Sequence, residues 1–165
     1  MQGQRVCRPA VFLIQPKNHA AEMDSGLSTD SIFIAALAAD ADIMDAVSGR
    51  LYGTAIGLPD EEADNVPCPY LIVTFDSLTN DELTKDSSWE GDTDRVQVGV
   101  TVTATTLGGL HDLTQMVREA VRGYMEETAT ALEDYQLTAT SIQYDSLKPC
   151  YWQVLNYNCE VRVER

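Results

Sequence analysis

The stretch from Val96 to Tyr124 changes its apolar period part-way along, and this change constrains the fold more than any other feature of the sequence. Its first part has an apolar residue at every second position, with small or polar residues between them (Val96, Val98, Val100, Val102 and Ala104). A period of two predicts a half-buried strand. After Thr105 and Thr106, which offer a hydroxyl N-cap, apolar residues recur at helical spacing (Leu107, Leu110, Leu113, Val117, Ala120, Val121 and Tyr124).

The valine face of this strand and the leucine stripe of this helix each need an apolar surface to cover them. We therefore expect the helix to fold back on a sheet that other strands extend. Tyr151 to Val163 alternates in the same way and predicts a closing strand whose apolar face includes Cys159. Tyr70 to Leu78 predicts a well-covered strand, and Leu137 to Tyr144 a further one.

Two short helices are predicted upstream of these strands. Ser28 or Thr29 can cap the first, and its predicted buried side is apolar (Ile32, Phe33, Ala36, Leu37 and Ala39). Asp40 to Asp42 predicts the end of this helix and the cap of the second, for which Gly49 is well placed as the C-terminal glycine. Arg50 to Tyr52 then predicts a short strand.

Residues 1–26 differ in composition from the rest, which we expect to be a single domain over residues 27–165. Met1 to Glu22 carry a net charge of +2, whereas the other 143 residues carry −17. Two interpretations stay open for this segment. Either it is a flexible basic extension that docks on an acidic neighbour, or Met23 is the true start of the protein.

The net charge of −15 excludes several classes of function. A nucleic-acid backbone or an anionic membrane would be repelled, so neither sequence-independent nucleic-acid binding nor membrane binding is expected. The charge fits a soluble acidic surface, and it also fits a surface past which DNA must slide without sticking. No apolar run is long enough to span a membrane.

The sequence contains no catalytic or cofactor-binding signature. A P-loop, a dinucleotide-binding glycine motif and a nucleophile elbow are all missing, and His19 and His111 lie far apart. The four cysteines form no C-x-x-C motif, and no histidine lies at ligand spacing from them (Cys7, Cys68, Cys150 and Cys159). We therefore expect no enzyme, no cofactor and no metal site, with the thiols reduced in an intracellular compartment.

Thr79 to Asp94 is longer than a connection between two neighbouring strands requires. It is polar and acidic, yet it contains Leu83 and Trp89. Long connections of this kind are often functional. One alternative is an arm that reaches a neighbouring subunit with Trp89 as its anchor. The others are a solvated loop and a segment that folds back on its own core.

From about Thr29 to Val163 the chain resembles the tail-terminator, or tail-completion, proteins of long-tailed bacteriophages and prophages. Three segments carry the resemblance, followed by the valine strand, its helix and the closing strand. The first is the opening helix, Ser31 to Asp40. The second, Ile43 to Tyr52, combines a short helix with a glycine and an "R-[VL]-Y" strand. The third is the "P-x-P-Y" entry to a strand, within Val66 to Val73. The departures from the family pattern are the extension Met1 to Glu22 and the longer region Glu126 to Lys148.

This resemblance implies an α+β fold, with an antiparallel sheet and helices packed on one face. The length of Thr79 to Asp94 adds a long projecting hairpin arm to the predicted fold. It implies a structural protein of the virion neck, assembled in the cytoplasm of the bacterial host. Such proteins form a homo-oligomeric ring, commonly a hexamer, that caps the tail tube protein and joins it to the head–tail connector or stopper protein. DNA passes through the ring without specific binding. On this view Leu83 and Trp89 are candidate contacts with a neighbouring subunit or the tail tube.

Two other functions stay open. The first is another neck or baseplate component of similar fold, which would bind different proteins on its two faces. The second is an acidic inhibitor that mimics DNA. Such a mimic needs carboxylates spaced like phosphates along one continuous face, whereas the acids of this sequence are dispersed among predicted loops and helix backs.

Overall fold

The computed structural model describes residues 29–53, 66–80, 92–127 and 132–163. In these ranges the chain forms an α+β domain, as expected. Its elements in chain order are α1 (Thr29–Ala39), α2 (Ala41–Ala46), β1 (Leu51–Gly53), β2 (Leu71–Asn80), β3 (Asp92–Ala104), α3 (Leu107–Glu127), β4 (Leu132–Ala139), β5 (Gln143–Asp145) and β6 (Cys150–Val163). No helix in the described ranges is long and apolar enough to cross a membrane.

The six strands form one mixed sheet in the order β1-β2-β3-β6-β4, and β5 also pairs with β6. The pairs β2–β3, β3–β6, β4–β6 and β5–β6 are antiparallel, as expected, whereas β1 runs parallel to β2. A parallel pair needs a connection that returns the chain to the same end of the sheet. The segment between Gly53 and Leu71 is long enough to do so, which accounts for this departure from a wholly antiparallel sheet.

The apolar core lies between one face of the sheet and the helices. The valines predicted to line one face of β3 are all buried there, next to Leu155 and Tyr157 of β6. The helix α3 covers this face with four buried side chains (Leu110, Leu113, Val117 and Val121). Leu107 was expected in the same stripe but is 45% exposed, because it starts the helix, ahead of the turns that face the sheet.

The shorter helices pack on the same side of the sheet. Helix α1 contacts α3 as well as β1, β2 and β3, and its Phe33 and Leu37 are fully buried. Ala39 was predicted to be buried but is exposed, since it occupies the last position of the helix before Asp40. Ser28, one of the two expected caps of α1, lies outside the described residues, and Thr29 is the first residue of the helix as described.

The predicted caps of α2 and α3 are confirmed. Asp40 Oδ1 accepts hydrogen bonds from the backbone N–H groups of Asp42 at 3.0 Å and Ile43 at 3.1 Å, at the start of α2. Thr106 Oγ1 accepts from the Gly109 N–H at 3.0 Å, at the start of α3. Gly49 has a φ of +72° and its N–H donates to the Met44 carbonyl. Ser48, directly after the cap Val47, is also left-handed, with a φ of +52°, and its N–H donates to the Asp45 carbonyl, so Ser48 and Gly49 together end α2.

Two predicted element boundaries are wrong. The ladder between β2 and β3 continues to the pair Asn80 and Asp94, so both ends of the predicted Thr79 to Asp94 connection belong to strands. The predicted strand Leu137 to Tyr144 is two strands, β4 and β5, separated at residues 140–142. In that gap the Val154 N–H donates to the side-chain oxygen Thr140 Oγ1 at 3.0 Å. In a continuous strand pair this N–H would donate to a backbone carbonyl instead.

Candidate assembly surfaces

The face of the sheet turned away from the helices presents small and polar side chains, and we call it the open face. The strand register places Thr74, Gly99, Asn156 and Thr138 side by side across β2, β3, β6 and β4. The next row consists of Ser77, Gln97, Asn158 and Gln136. The described helices leave this face uncovered, and it is polar in these two rows. Further along, it also carries Ile72 and Val154, which pair with Thr101, and the exposed Trp152, which pairs with Thr103.

Gly99 marks a tightly packed point of the open face. A register shift between Phe75 and Ser77 brings Asp76 next to Thr74, whose hydroxyl donates to Asp76 Oδ1 at 2.8 Å. A Cβ atom on residue 99 would lie 2.6 Å from Thr74 Oγ1 and 2.9 Å from Asp76 Oδ2. The absence of a side chain at Gly99 therefore allows these two polar groups to lie over the strand.

The sheet ends in two different edges. One is the short strand β1, which is parallel to its neighbour. The other is the eight-residue strand β4, followed by β5 further along, and both are antiparallel to β6. In the described part of the chain no strand pairs with the outer side of either one. An edge strand offers backbone donors and acceptors to a further strand, and the two edges of this sheet are not alike.

A groove of about 570 Å³ separates β4 from α3. Arg118 and Arg122 of α3 line one side and Asp134 and Tyr135 of β4 line the other. Arg122 forms an exposed ion pair with Glu126 at 4.0 Å on the same helix. The groove thus places charges of both signs beside the free edge of β4.

The hairpin between β5 and β6 exposes large apolar side chains. Leu147 at its tip is 92% exposed, and Tyr144 and Trp152 on its two strands are also exposed. Asp145 Oδ1 accepts hydrogen bonds from the N–H groups of Leu147 at 2.9 Å and Lys148 at 3.3 Å, so the side chain of Asp145 shapes the turn. The Tyr144 ring lies 4.8 Å from the Tyr151 ring. This ordered turn holds Leu147 out into solvent.

Two cysteines that sequence reasoning treated separately are brought together next to this hairpin. Cys68 precedes β2 and Cys150 starts β6, and their Sγ atoms lie 2.7 Å apart. Cys150 is 6% exposed, whereas Cys68 is half-buried. No local sequence signal points to this contact, because the two residues are 82 positions apart in the chain.

The comparisons with known proteins identify the family. The family model described as "Tail completion protein gp17" matches residues 33–161, which is most of the chain. The chain belongs to this family. One solved structure with a similar fold is a chain of the "Virion of native gene transfer agent (GTA) particle", at 12% sequence identity and a TM-score of 0.50. The match covers 84% of this chain and 99% of that one. A search of curated proteins finds no match.

Family membership makes this tail completion protein a structural component of a phage virion. The resemblance drawn from the helix, the "R-[VL]-Y" strand and the "P-x-P-Y" entry is therefore confirmed. The segment of Ile43 to Tyr52 contains the last four residues of α2 and the start of β1, and Val66 to Val73 leads into β2. Both segments lie within the matched residues, so the motifs reflect the framework of the fold rather than a chemical site.

The candidate interface residues Leu83 and Trp89 lie outside the described residues. The structure describes the base of their hairpin as far as the pair Asn80 and Asp94. At that base Asp94 is buried, and Arg95 forms an exposed ion pair with Glu160 at 3.5 Å. The projecting arm and its two apolar side chains remain a prediction.

Within the described ranges no group of three or more His, Cys, Asp or Glu residues is arranged to hold a metal ion. Among the described residues, the clearly shifted pKa values belong to buried or half-buried side chains. Burial raises the pKa of the Cys159 thiol to about 12. The pKa of the Cys150 thiol is also raised to about 12, mainly by burial and secondly by its hydrogen bond with Cys68. Burial also raises the pKa values of Tyr70 and Tyr157. At neutral pH all four side chains are held in their neutral, protonated forms.

Proposed function

We propose that this tail completion protein forms a closed homo-oligomeric ring, commonly of six subunits, that caps the tail tube and joins it to the head–tail connector or stopper protein. The observation that carries the proposal is the pair of unlike edges of the sheet, β1 and β4, in a chain that belongs to the tail completion family. The role is structural rather than enzymatic, and assembly takes place in the cytoplasm of the bacterial host.

A ring needs two different side surfaces on each subunit, and the unlike edges of the sheet can supply them. In a two-fold dimer each subunit uses the same surface, whereas a ring joins two different surfaces of successive subunits. Here β4 is long and antiparallel, while β1 is short and parallel. In the proposed ring, a strand added to β4 would come from a different part of the neighbouring subunit. The mixed charges of Arg118, Arg122 and Asp134 beside β4 would help to select that partner.

The charge of the chain fits a ring through which DNA passes. A net charge of −15 per subunit is repeated at every position of a homo-oligomer. In a ring, acidic groups near the opening would repel the phosphates and keep DNA from binding to the wall. DNA would then pass through the ring without specific binding.

The arm supplies a second contact in this proposal. Leu83 and Trp89 lie between β2 and β3, whose ladder is continuous up to Asn80 and Asp94. Because that ladder is already closed at its base, the sheet does not require the residues beyond it. We expect Trp89 to be buried against a neighbouring subunit or the tail tube protein, where an aromatic side chain can contribute a large share of the binding free energy.

Deleting the gene from the phage or prophage that encodes it tests the function. The expected result is an accumulation of separate heads and tails, and a plasmid copy of the full chain should restore joined particles. Electron microscopy of the lysate measures the joined fraction. If heads and tails join normally without the protein, the joining role is wrong. If joined particles lack only the distal end of the tail, the protein is a baseplate component instead.

A further inference from the structure

We propose that Cys68 and Cys150 are a redox site that closes into an intramolecular disulfide when the protein meets an oxidising thiol–disulfide environment. The two Sγ atoms lie 2.7 Å apart, and both side chains are free thiols in the structure. This pair lies at the end of the sheet, outside the arm and both sheet edges. Its chemistry does not depend on ring assembly.

The strand register explains why the two sulfurs meet. Leu71 of β2 and Gln153 of β6 pair with the same residue, Val102 of β3, from its two sides. Cys68 and Cys150 each lie three positions before these partners, so they occupy the same level of the sheet. Where β3 lies between them, β2 and β6 are held about 9.5 Å apart, which is twice the spacing of neighbouring strands. Strand β3 ends at Ala104, and beyond that end nothing of it separates the two cysteines.

Hydrogen bonds hold the chain on the Cys68 side in this position. Thr103 Oγ1 accepts from the Tyr70 N–H and donates to the Tyr70 carbonyl, at 2.7 Å in each case. Arg50 Nε donates to the Pro69 carbonyl at 2.8 Å. These contacts attach the segment before β2 to β3 and to the start of β1. The disulfide would therefore need little movement of the backbone.

The two thiols differ in exposure, which sets the order of the reaction. Both cysteines line an open groove of about 570 Å³ with Tyr70, Lys148 and Trp152, but Cys68 is the half-buried one of the two. Cys150 is buried, and its raised pKa keeps it protonated at neutral pH. An oxidant arriving from solvent would therefore react first at Cys68.

With oxidised glutathione as the oxidant, the Cys68 thiolate attacks one sulfur of the glutathione disulfide and releases one glutathione. Cys150 then loses its proton to solvent and attacks the Cys68 sulfur of the mixed disulfide, which releases the second glutathione. The two protein thiols are oxidised to one disulfide, and one glutathione disulfide is reduced to two thiols. The host cytoplasm keeps such a pair reduced, whereas a virion released from the cell leaves that reducing pool.

The test uses the purified full chain in glutathione buffers of graded redox composition. Trypsin does not cleave between Lys148 and Pro149, so Cys150 and Cys159 fall in one peptide, residues 123–162. A Cys159→Ala background removes this ambiguity. Non-reducing mass spectrometry should then find residues 51–85 linked to residues 123–162, with the loss of two hydrogen atoms. Oxidation should raise the melting temperature by about 5–10 °C, because the bond closes a long loop.

Two variants and one control separate this site from a general effect of oxidation. Cys68→Ser, at the more exposed position, should abolish both the cross-linked peptide and the gain in melting temperature, as should Cys150→Ser. Cys159→Ala alone should retain both. Finding only glutathione adducts on Cys68 under fully oxidising conditions, with no cross-link to Cys150, would overturn the proposal. If the cross-link forms but the melting temperature is no higher than that of Cys68→Ser, the disulfide does not stabilise the fold.

Discussion

The aromatic ring of Phe33 on α1 lies 4.9 Å from that of Tyr157 on β6, with an angle of 58° between the ring planes. The ring of Tyr135, on the edge strand β4, lies 5.6 Å from Tyr157. These three residues connect the first helix, an inner strand and one edge of the sheet. The Tyr157 hydroxyl is buried and has no hydrogen-bond partner within the described part of the chain.

This geometry predicts opposite effects of two substitutions at Tyr157. Tyr157→Phe keeps the ring and removes the unpaired hydroxyl, so the free energy of unfolding should stay unchanged or rise by about 1 kcal/mol. Tyr157→Ala removes the ring and should cost about 3–5 kcal/mol. Urea denaturation of the two variants measures the difference. A loss of more than about 1 kcal/mol in Tyr157→Phe would show that the hydroxyl has a partner.

Two leucines of α3 provide a matched pair for testing the core. Leu113 is 4% exposed beneath the helix, whereas Leu107, at its start, is 45% exposed. Leu113→Ala should lower the free energy of unfolding by about 2–5 kcal/mol, because it leaves a cavity against the sheet. Leu107→Ala should lower it by no more than about 0.5 kcal/mol. Equal losses in chemical denaturation would contradict the orientation of the helix.

Alkaline pH should destabilise the fold through its buried thiols. Burial raises the pKa of Cys159 to about 12, whereas a thiol in the unfolded chain ionises near pH 8.5. Between these values the unfolded chain binds fewer protons than the folded one, so stability falls as the pH rises. Under reducing conditions, the free energy of unfolding from urea denaturation should fall less steeply with pH in Cys159→Ala than in the parent protein, from about pH 8.5 upward. An identical pH slope in the variant and the parent protein would contradict this assignment.

The elements that sequence reasoning predicted correctly are those whose signal is local. The alternation from Val96 to Ala104 and the helical spacing from Leu110 to Val121 each lie within one element, and both are confirmed. The caps formed by Asp40 and Thr106 depend on contacts within three residues. Such features depend little on the rest of the chain, so one sequence is enough to reveal them.

Features that depend on pairing between distant strands could not be predicted. The contact of Cys68 with Cys150 requires Leu71 and Gln153 to flank Val102, and no local pattern specifies that order. The parallel pairing of β1 with β2 is of the same kind. For this reason the sequence indicated the helices and most strands, but neither the mixed sheet nor its two unlike edges.

The arm prediction concerns Trp89, which lies beyond the closed base of the hairpin. Trp89→Ala should leave the melting temperature of the isolated subunit nearly unchanged, because the ladder between β2 and β3 is already closed at Asn80 and Asp94. It should weaken ring formation or tail attachment, since an aromatic anchor contributes strongly to an interface. Thermal melting and mass photometry form the paired measurement. If the variant unfolds the subunit, Trp89 belongs to the core, and if neither measurement nor tail attachment changes, the arm has no interface role.

Cryo-electron microscopy of the assembled virion tests the central claim most directly. We predict a closed ring of this protein at the head-proximal end of the tail tube, in contact with the tube on one side and with the head–tail connector or stopper on the other. In that map, successive subunits should meet through unlike surfaces, with β4 of each subunit at the contact. A map that places the protein at the distal end of the tail, or as isolated subunits, would contradict the account.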